Sequence, residues 1–218
     1  MSWLTALLAG LPLLAGLLWA ERGNSPGRIL ACKTSLSLLF VLAAFTQPHP
    51  LPGYYALALA GLILGLLGDV LLALKTKAAF KAGLAAFLLG HLAYVAAFGL
   101  YTEPMHWVLP GVLLLWAVAF LVFRWLKPHL GDMRVPVAAY VIVITLMLWA
   151  AWAALWGGQL PAWTARLGLA GAVCFYLSDI FVARERFVTP GFANRLWGLP
   201  LYYVGQFLIA FSVGQGPA

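Results

Sequence analysis

Eight long, almost uncharged apolar runs divide the chain, and they restrict what it can fold into. Each run is close to the roughly 20 residues that a helix needs to cross a bilayer. The runs are continuous, as in residues 57–67 and 112–123, whereas the strands of a membrane barrel alternate apolar and polar residues. We therefore predict an all-α polytopic membrane helical bundle with eight transmembrane helices, at residues 2–20, 29–46, 54–74, 82–101, 106–124, 135–156, 163–183 and 195–213.

Composition excludes the main soluble classes. Hydrophobic residues make up 64% of the chain and charged residues 9%, against about 45–50% and about 25% in a soluble domain. A soluble enzyme, a disordered chain and a disulfide scaffold are therefore excluded. No loop is long enough for a second domain, so residues 1–218 are predicted to form a single transmembrane domain.

The basic residues predict the orientation of the bundle. The net charge is +7, and eleven of the thirteen Lys and Arg residues lie in the loops after spans 1, 3, 5 and 7. Because cytoplasmic loops are enriched in Lys and Arg, we expect both termini on the non-cytoplasmic side of the cell (inner) membrane. The same placement explains the positive charge without nucleic-acid binding.

Spans 3 and 7 share a short pattern. Asp69 and Asp179 each follow a glycine by eight residues, Gly61 and Gly171, and each precedes an alanine by four. A parallel repeat of spans 1–4 and 5–8 would produce this pattern, and so would chance similarity between apolar helices.

Three ionisable side chains lie inside the spans: Lys33, Asp69 and Asp179. A charge inside a bilayer costs roughly 2.5–3.5 kcal/mol on insertion scales, so it needs a partner or water. All three lie five or six residues from a basic loop, which is roughly 8 Å at the rise of an α-helix. We therefore predict one shared polar cavity near the cytoplasmic side. A structural ion pair between Lys33 and one carboxylate is the alternative.

Further polar side chains are expected near that cavity. His91 and Tyr94 are three residues apart and share a helix face, as do Tyr203 and Gln206. Tyr140 lies at the depth of the charges, and Ser178 precedes Asp179. With one histidine deep in a span, the sequence does not favour a metal site, and we expect no cofactor.

Several short motifs, taken in order, resemble the YhhN-like lysoplasmalogenase family of integral membrane proteins. They are Gly-Leu-Leu-Gly-Asp at residues 65–69, Gly-His-Leu-Ala-Tyr at 90–94, Tyr-Leu-Ser-Asp at 176–179, Arg-Phe at 186–187 and Tyr-Val-Gly-Gln at 203–206. Lys33 also matches, although Thr34 stands where the family usually has proline. The resemblance implies eight spans and hydrolysis of the vinyl ether bond of lysoplasmalogens, which gives a fatty aldehyde and a glycerophospho-base.

The candidate residues suit that chemistry. A vinyl ether is hydrolysed by protonation at carbon followed by capture of the oxocarbenium ion by water, and two carboxylates can supply the acid and the base. We predict Asp69, Asp179 and His91 as catalytic residues, with Asp179 favoured as the acid, His91 as its alternative and Lys33 paired with Asp69. The predicted ligands of the single-chain ether phospholipid substrate are Lys33, Tyr94, Tyr140, Ser178, Arg186, Tyr203 and Gln206.

Two other functions stay open at this point. Proton-coupled transporters of small molecules or lipids also place Asp, Lys and His inside the membrane. A non-catalytic lipid-binding membrane protein would use the same charges only to fix its packing.

Overall fold

The computed structural model describes residues 1–74, 76–103 and 111–214, and within these ranges the chain forms eight long α-helices and no strands. The predicted all-α fold class is therefore confirmed. The helices are α1 (Trp3–Arg22), α2 (Pro26–Phe45), α3 (Pro52–Ala73), α4 (Lys77–Gly99), α5 (Val112–Leu126), α6 (Arg134–Gly157), α7 (Ala162–Ala183) and α8 (Phe192–Ser212). Two short 3-10 turns, Lys127–His129 and Gly131–Met133, join α5 to α6, and a π-helical turn, Arg184–Val188, follows α7.

Local sequence explains where the helices begin. Pro26 and Pro52 occupy the first helical positions of α2 and α3, where proline costs no hydrogen bond. Thr76 caps α4 by accepting a hydrogen bond from the backbone N–H of Ala79. The fourth helix therefore begins at Lys77, five residues before the predicted start at residue 82.

Two basic residues predicted to lie in the loop after span 3 belong to a helix, and part of the predicted span 5 is not described. Lys77 and Lys81, which we assigned to a loop, lie in the first two turns of α4 and are exposed. Lys75, Trp107 and the predicted start of span 5 at residues 106–110 lie outside the described residues.

The helices fit a membrane environment. Within the described ranges, seven helical segments are long and apolar enough to cross a bilayer, and α8 is not among them. Many large apolar side chains point outward, including Leu113, Phe120 and Leu121 on α5. A soluble protein rarely exposes contiguous apolar surface of this kind. The chain is therefore an integral membrane protein.

Six helices form a closed ring. Neighbouring pairs follow the order α2, α3, α4, α6, α7, α8 and back to α2. Helix α1 packs outside the ring against α2 and α8, and α5 packs outside it against α6. The buried polar side chains project from the ring helices toward one another, so the ring positions the candidate site.

A stripe of glycines on α3 makes room for side chains from neighbouring helices. A Cβ atom at Gly61 would overlap the Tyr94 ring, one at Gly65 would lie 2.5 Å from Nε2 of Gln206, and one at Gly68 would overlap the Phe87 ring. Small residues allow this close approach between membrane helices. The stripe therefore fixes α4 and α8 against α3.

Candidate active site

Asp69 lies at the centre of a buried hydrogen-bonded cluster. Nζ of Lys33 on α2 is 3.5 Å from its Oδ1 atom. The hydroxyls of Ser37 and Tyr202 donate to its Oδ2 atom at 2.7 and 2.6 Å. The Asp69 side chain is 2% exposed. Three donors, one of them a cation, satisfy a buried carboxylate, and the ion pair is the Lys33–Asp69 pairing that we expected.

The cluster continues across the ring through Tyr202. Nε2 of Gln206 donates to the Tyr202 hydroxyl at 3.2 Å, and the Tyr94 hydroxyl donates to Oε1 of Gln206 at 2.9 Å. Tyr94, Tyr202 and Gln206 are buried. One network therefore links α2, α3, α4 and α8.

Asp179 has a different and less polar environment. The Tyr140 hydroxyl on α6 donates to its Oδ2 atom at 2.6 Å, and Nε2 of His91 on α4 lies 4.0 Å from the same atom. Its side chain is 16% exposed, compared with 2% for Asp69. Asp179 is therefore the carboxylate that a bound molecule can reach.

His91 presents an unused nitrogen to this carboxylate. Its Nδ1 atom lies 2.6 Å from the carbonyl oxygen of Phe87. Since a carbonyl only accepts hydrogen bonds, the pairing assigns the ring proton to Nδ1. Nε2 is buried and has no hydrogen-bond partner among the described residues. Buried polar atoms are almost always paired, so the unpaired nitrogen facing Asp179 keeps His91 among the candidate site residues.

The two carboxylates line two neighbouring cavities. The apolar cavity lies between α3, α4, α5, α6 and α7, and Asp179, Tyr140 and Tyr176 are its polar lining residues within the bundle. The polar cavity opens near the C-terminal ends of α1, α3 and α7 and the N-terminal ends of α2 and α8, and it is lined by Lys33 and Asp69. Arg186 lines both cavities.

This arrangement corrects the prediction of one shared cavity. Asp69 and Asp179 line two different, adjoining cavities, and aromatic side chains lie between the two carboxylates. The Tyr202 ring packs 5.2 Å from Phe175, and the Phe175 ring packs 4.6 Å from His91. Depth along the membrane normal, which the sequence gives, does not determine which side of a helix a charge faces.

The remaining predicted site residues have separate positions. Ser178 donates to the carbonyl oxygen of Gly198 at 3.0 Å and so joins α7 to α8. Arg186 stacks over the Phe80 ring with its Cζ atom 4.1 Å from the ring centroid. Tyr203, which we expected beside Gln206, instead lines an apolar crevice between α1 and α8.

Sequence reasoning missed two residues of the site, Ser37 and Tyr202. The spacing of each along its helix could have indicated it. Ser37 is four residues after Lys33, and Tyr202 is four residues before Gln206, so each shares a face with a residue that we selected. The sequence offers adjacent tyrosines at 202 and 203, and only the rotation of α8 decides which of them reaches Asp69.

Removing the Tyr202 hydroxyl tests the Asp69 network. A Tyr202→Phe variant leaves Nε2 of Gln206 buried without its acceptor, so we expect the free energy of unfolding to fall by about 1–3 kcal/mol. Thermal unfolding in detergent micelles measures this. Tyr55→Phe is the matched control because the Tyr55 hydroxyl makes no hydrogen bond to the described residues. Equal stability of the two variants would contradict the network.

No metal centre emerges from the described residues, since no three His, Cys, Asp or Glu side chains are grouped there. The arrangement offers instead a reachable carboxyl group, an unprotonated imidazole nitrogen and a phenol in an apolar surrounding. Such a set can transfer protons to and from a bound apolar molecule.

Comparison with known proteins identifies relatives of the chain. The chain is similar to lysoplasmalogenase TMEM86B of Homo sapiens, with 34% identity over 100% of this chain and 78% of the relative. It is similar to lysoplasmalogenase TMEM86A of Bos taurus, with 30% identity over 97% and 78%. It is also similar to a lysoplasmalogenase of Mycobacterium bovis, with 31% identity over 79% and 64%.

No solved structure matches the chain. The model of the YhhN family matches residues 29–213, which include every candidate residue of both cavities. The order of short motifs noted in the sequence and this match agree, and the chain belongs to the YhhN family.

Proposed function

We propose that the protein hydrolyses the vinyl ether bond of lysoplasmalogens and releases a fatty aldehyde and a glycerophospho-base. The observation that carries this proposal is the reachable Asp179 carboxyl group in an apolar cavity, 4.0 Å from an unpaired imidazole nitrogen. The relatives named lysoplasmalogenase support it. An apolar cavity with few polar groups suits the alkenyl chain of a lipid.

The proposed reaction begins with proton transfer. The Asp179 carboxyl group donates its proton to the second carbon of the alkenyl chain, and the double-bond electrons form the new C–H bond. The first carbon then carries the positive charge, which it shares with the ether oxygen. The Asp179 carboxylate left behind stabilises this oxocarbenium ion electrostatically.

Water completes the reaction. Nε2 of His91 accepts a proton from a water molecule as the water oxygen bonds to the cationic carbon. The protonated His91 then gives its proton to the glycerol oxygen, which leaves as an alcohol as its bond to the hemiacetal carbon breaks. The hemiacetal hydroxyl gives its proton to the Asp179 carboxylate and becomes the aldehyde carbonyl, so both side chains return to their starting protonation states. The sum is one alkenyl ether plus one water, giving one aldehyde and one glycerophospho-base.

Neighbouring residues have supporting roles in this proposal. Tyr140 orients the Asp179 carboxyl group through its hydrogen bond to Oδ2. Asp69, which we predicted as a second catalytic carboxylate, is proposed to act as a positioning residue because its side chain is 2% exposed and paired with Lys33. Arg186 lies where both cavities meet and binds the phosphate of the substrate.

A labelling experiment tests the reaction. Purified protein is incubated with a defined lysoplasmalogen in D₂O, and the products are analysed by mass spectrometry. We expect an aldehyde with one deuterium on the carbon next to the carbonyl group, because that carbon receives the proton. In H₂¹⁸O the glycerol oxygen stays unlabelled, because the bond to the alkenyl carbon is the one that breaks. Absence of aldehyde would overturn the proposal in favour of transport or lipid binding.

We also propose that all eight helices span the membrane, with α8 as the eighth span and both termini on the non-cytoplasmic side of the cell membrane. Helix α8 closes the ring between α7 and α2, and its polar side chains Asn194 and Gln206 face buried partners. Reporter fusions at each terminus test this: a cytoplasmic reporter signal at either terminus would contradict the orientation.

The proposed bundle contains two parallel repeats, α1–α4 and α5–α8. Helices α3 and α4 approach closely at Gly61 and Gly90, as α7 and α8 do at Gly171 and Gly205. Helices α1 and α5 both lie outside the ring. An experimental structure tests the repeat by superposing α3 and α4 on α7 and α8. The repeat is contradicted if this superposition does not bring α2 onto α6.

A further inference from the structure

A charged groove borders the apolar cavity, and of its charged residues only Arg186 has a role in the proposed reaction. Lys77 and Lys81 on the first turns of α4, Asp132 before α6, and Arg186 on the π-helical turn line this groove. We call these four residues the charged mouth. All four are exposed, and none forms an ion pair with another described residue.

The mouth leads directly to the Asp179 site. Phe80 and Phe187 line both the mouth and the apolar cavity, and their rings pack 6.2 Å apart. Arg186 stacks on Phe80 and also lines both spaces. A single-chain lipid whose alkenyl ether reaches Asp179 would therefore place its head group among these charges.

The groove continues from the mouth toward the membrane. Lys81 and Asp132 also border a second, mainly apolar stretch between α4 and α6, which includes Leu84, Leu88 and Pro136. Cations at the end of an apolar groove suit a phosphate ester attached to a hydrocarbon chain. The apolar stretch gives such a chain a route between the cavity and the bilayer.

The charged mouth contains both positive and negative side chains. Three of its charged residues are cations, and Asp132 is the single carboxylate that lines it within the described ranges. A bare phosphate is attracted by the cations and repelled by Asp132. A zwitterionic head group is attracted by both, since its ammonium group can approach the carboxylate while its phosphate approaches Lys77, Lys81 and Arg186.

We propose that the charged mouth binds the zwitterionic head group of the substrate, with Lys77, Lys81 and Arg186 on the phosphate and Asp132 on the ammonium group of ethanolamine or choline. This inference rests on the proposed function for the identity of the lipid. It assigns the head-group preference to a site outside the catalytic residues.

The test compares two substrates that differ only in the ammonium group: a lysoplasmalogen with an ethanolamine head group and one with a bare phosphate. For Asp132→Asn we expect the ratio of kcat/KM for ethanolamine to kcat/KM for phosphate to fall about fivefold, the effect of one exposed ion pair. For Lys81→Gln we expect kcat/KM to fall for both substrates. Glu103→Gln and Lys127→Gln are the matched controls outside the mouth.

A binding measurement separates this inference from the proposed function. A saturated ether analogue with an ethanolamine head group cannot be hydrolysed, and its Kd is measured by calorimetry in detergent. We expect weaker binding in Asp132→Asn and Lys81→Gln whether or not the wild type releases aldehyde. An unchanged substrate ratio in Asp132→Asn, or an unchanged Kd in both variants, would overturn the head-group site even if the protein releases aldehyde.

Discussion

Replacing Asp179 with Asn is expected to lower kcat/KM for lysoplasmalogen hydrolysis by about 10²–10⁴-fold, the usual contribution of a general acid. The variant keeps the shape of the side chain and an oxygen that accepts from the Tyr140 hydroxyl. It loses only the acidic proton and the charge. Aldehyde release, measured with the deuterium label described above, reports the rate of the step that uses this proton.

Two controls make the Asp179 result specific. Glu103→Gln removes a carboxylate that accepts a hydrogen bond from Gln159. Glu103 lies outside both cavities, and we expect this variant to keep wild-type activity. Asp69→Asn disturbs the buried ion pair with Lys33, and we expect a lower unfolding temperature with a smaller effect on kcat. Aldehyde release at the wild-type rate by an Asp69→Asn, Asp179→Asn double variant would overturn the carboxylate mechanism.

A large loss of stability is expected from Gly171→Ala. A Cβ atom at Gly171 would lie 2.9 Å from the carbonyl oxygen of Gly205 and 2.7 Å from Cγ1 of Ile209. Because one of these contacts is with backbone, α7 and α8 would have to separate, and overpacking of this kind costs about 1–3 kcal/mol. The separation would also disturb Asp179, which lies two turns along α7.

Thermal unfolding in micelles, followed by tryptophan fluorescence, measures this cost. Gly27→Ala is the matched control, because a Cβ atom at Gly27 meets nothing within 4 Å and alanine favours helix by up to about 1 kcal/mol. We expect Gly27→Ala to unfold at or above the wild-type temperature. A Gly171→Ala protein as stable as the control would contradict the close packing of α7 and α8.

The effect of a glycine substitution depends on the neighbouring helix rather than on the glycine itself. Gly27 and Gly171 both lie within helices, Gly27 in the first turn of α2 and Gly171 in the middle of α7. Only the structure shows that the carbonyl oxygen of Gly205 lies against Gly171. In the candidate site, too, the neighbouring helices decide which side chains a residue contacts.

The sequence by itself determined the helical fold and the buried charged residues of the candidate site. Continuous apolar runs specify helices because the backbone must satisfy its hydrogen bonds internally in lipid, and helix bounds agree with prediction to within a few residues at most ends. The cost of a charge in the membrane singled out Lys33, Asp69 and Asp179, because such residues persist only with partners. These inferences depend on properties that act locally along the chain.

The tertiary structure alone decided which of those residues meet. Asp69 pairs with Lys33 and Tyr202, while Asp179 faces His91 and Tyr140 in a separate cavity. The choice depends on the rotation of each helix about its axis and on its neighbours in the ring. Helices that are apolar on nearly every face carry almost no periodic signal for that rotation, so it is set by packing between helices distant in sequence.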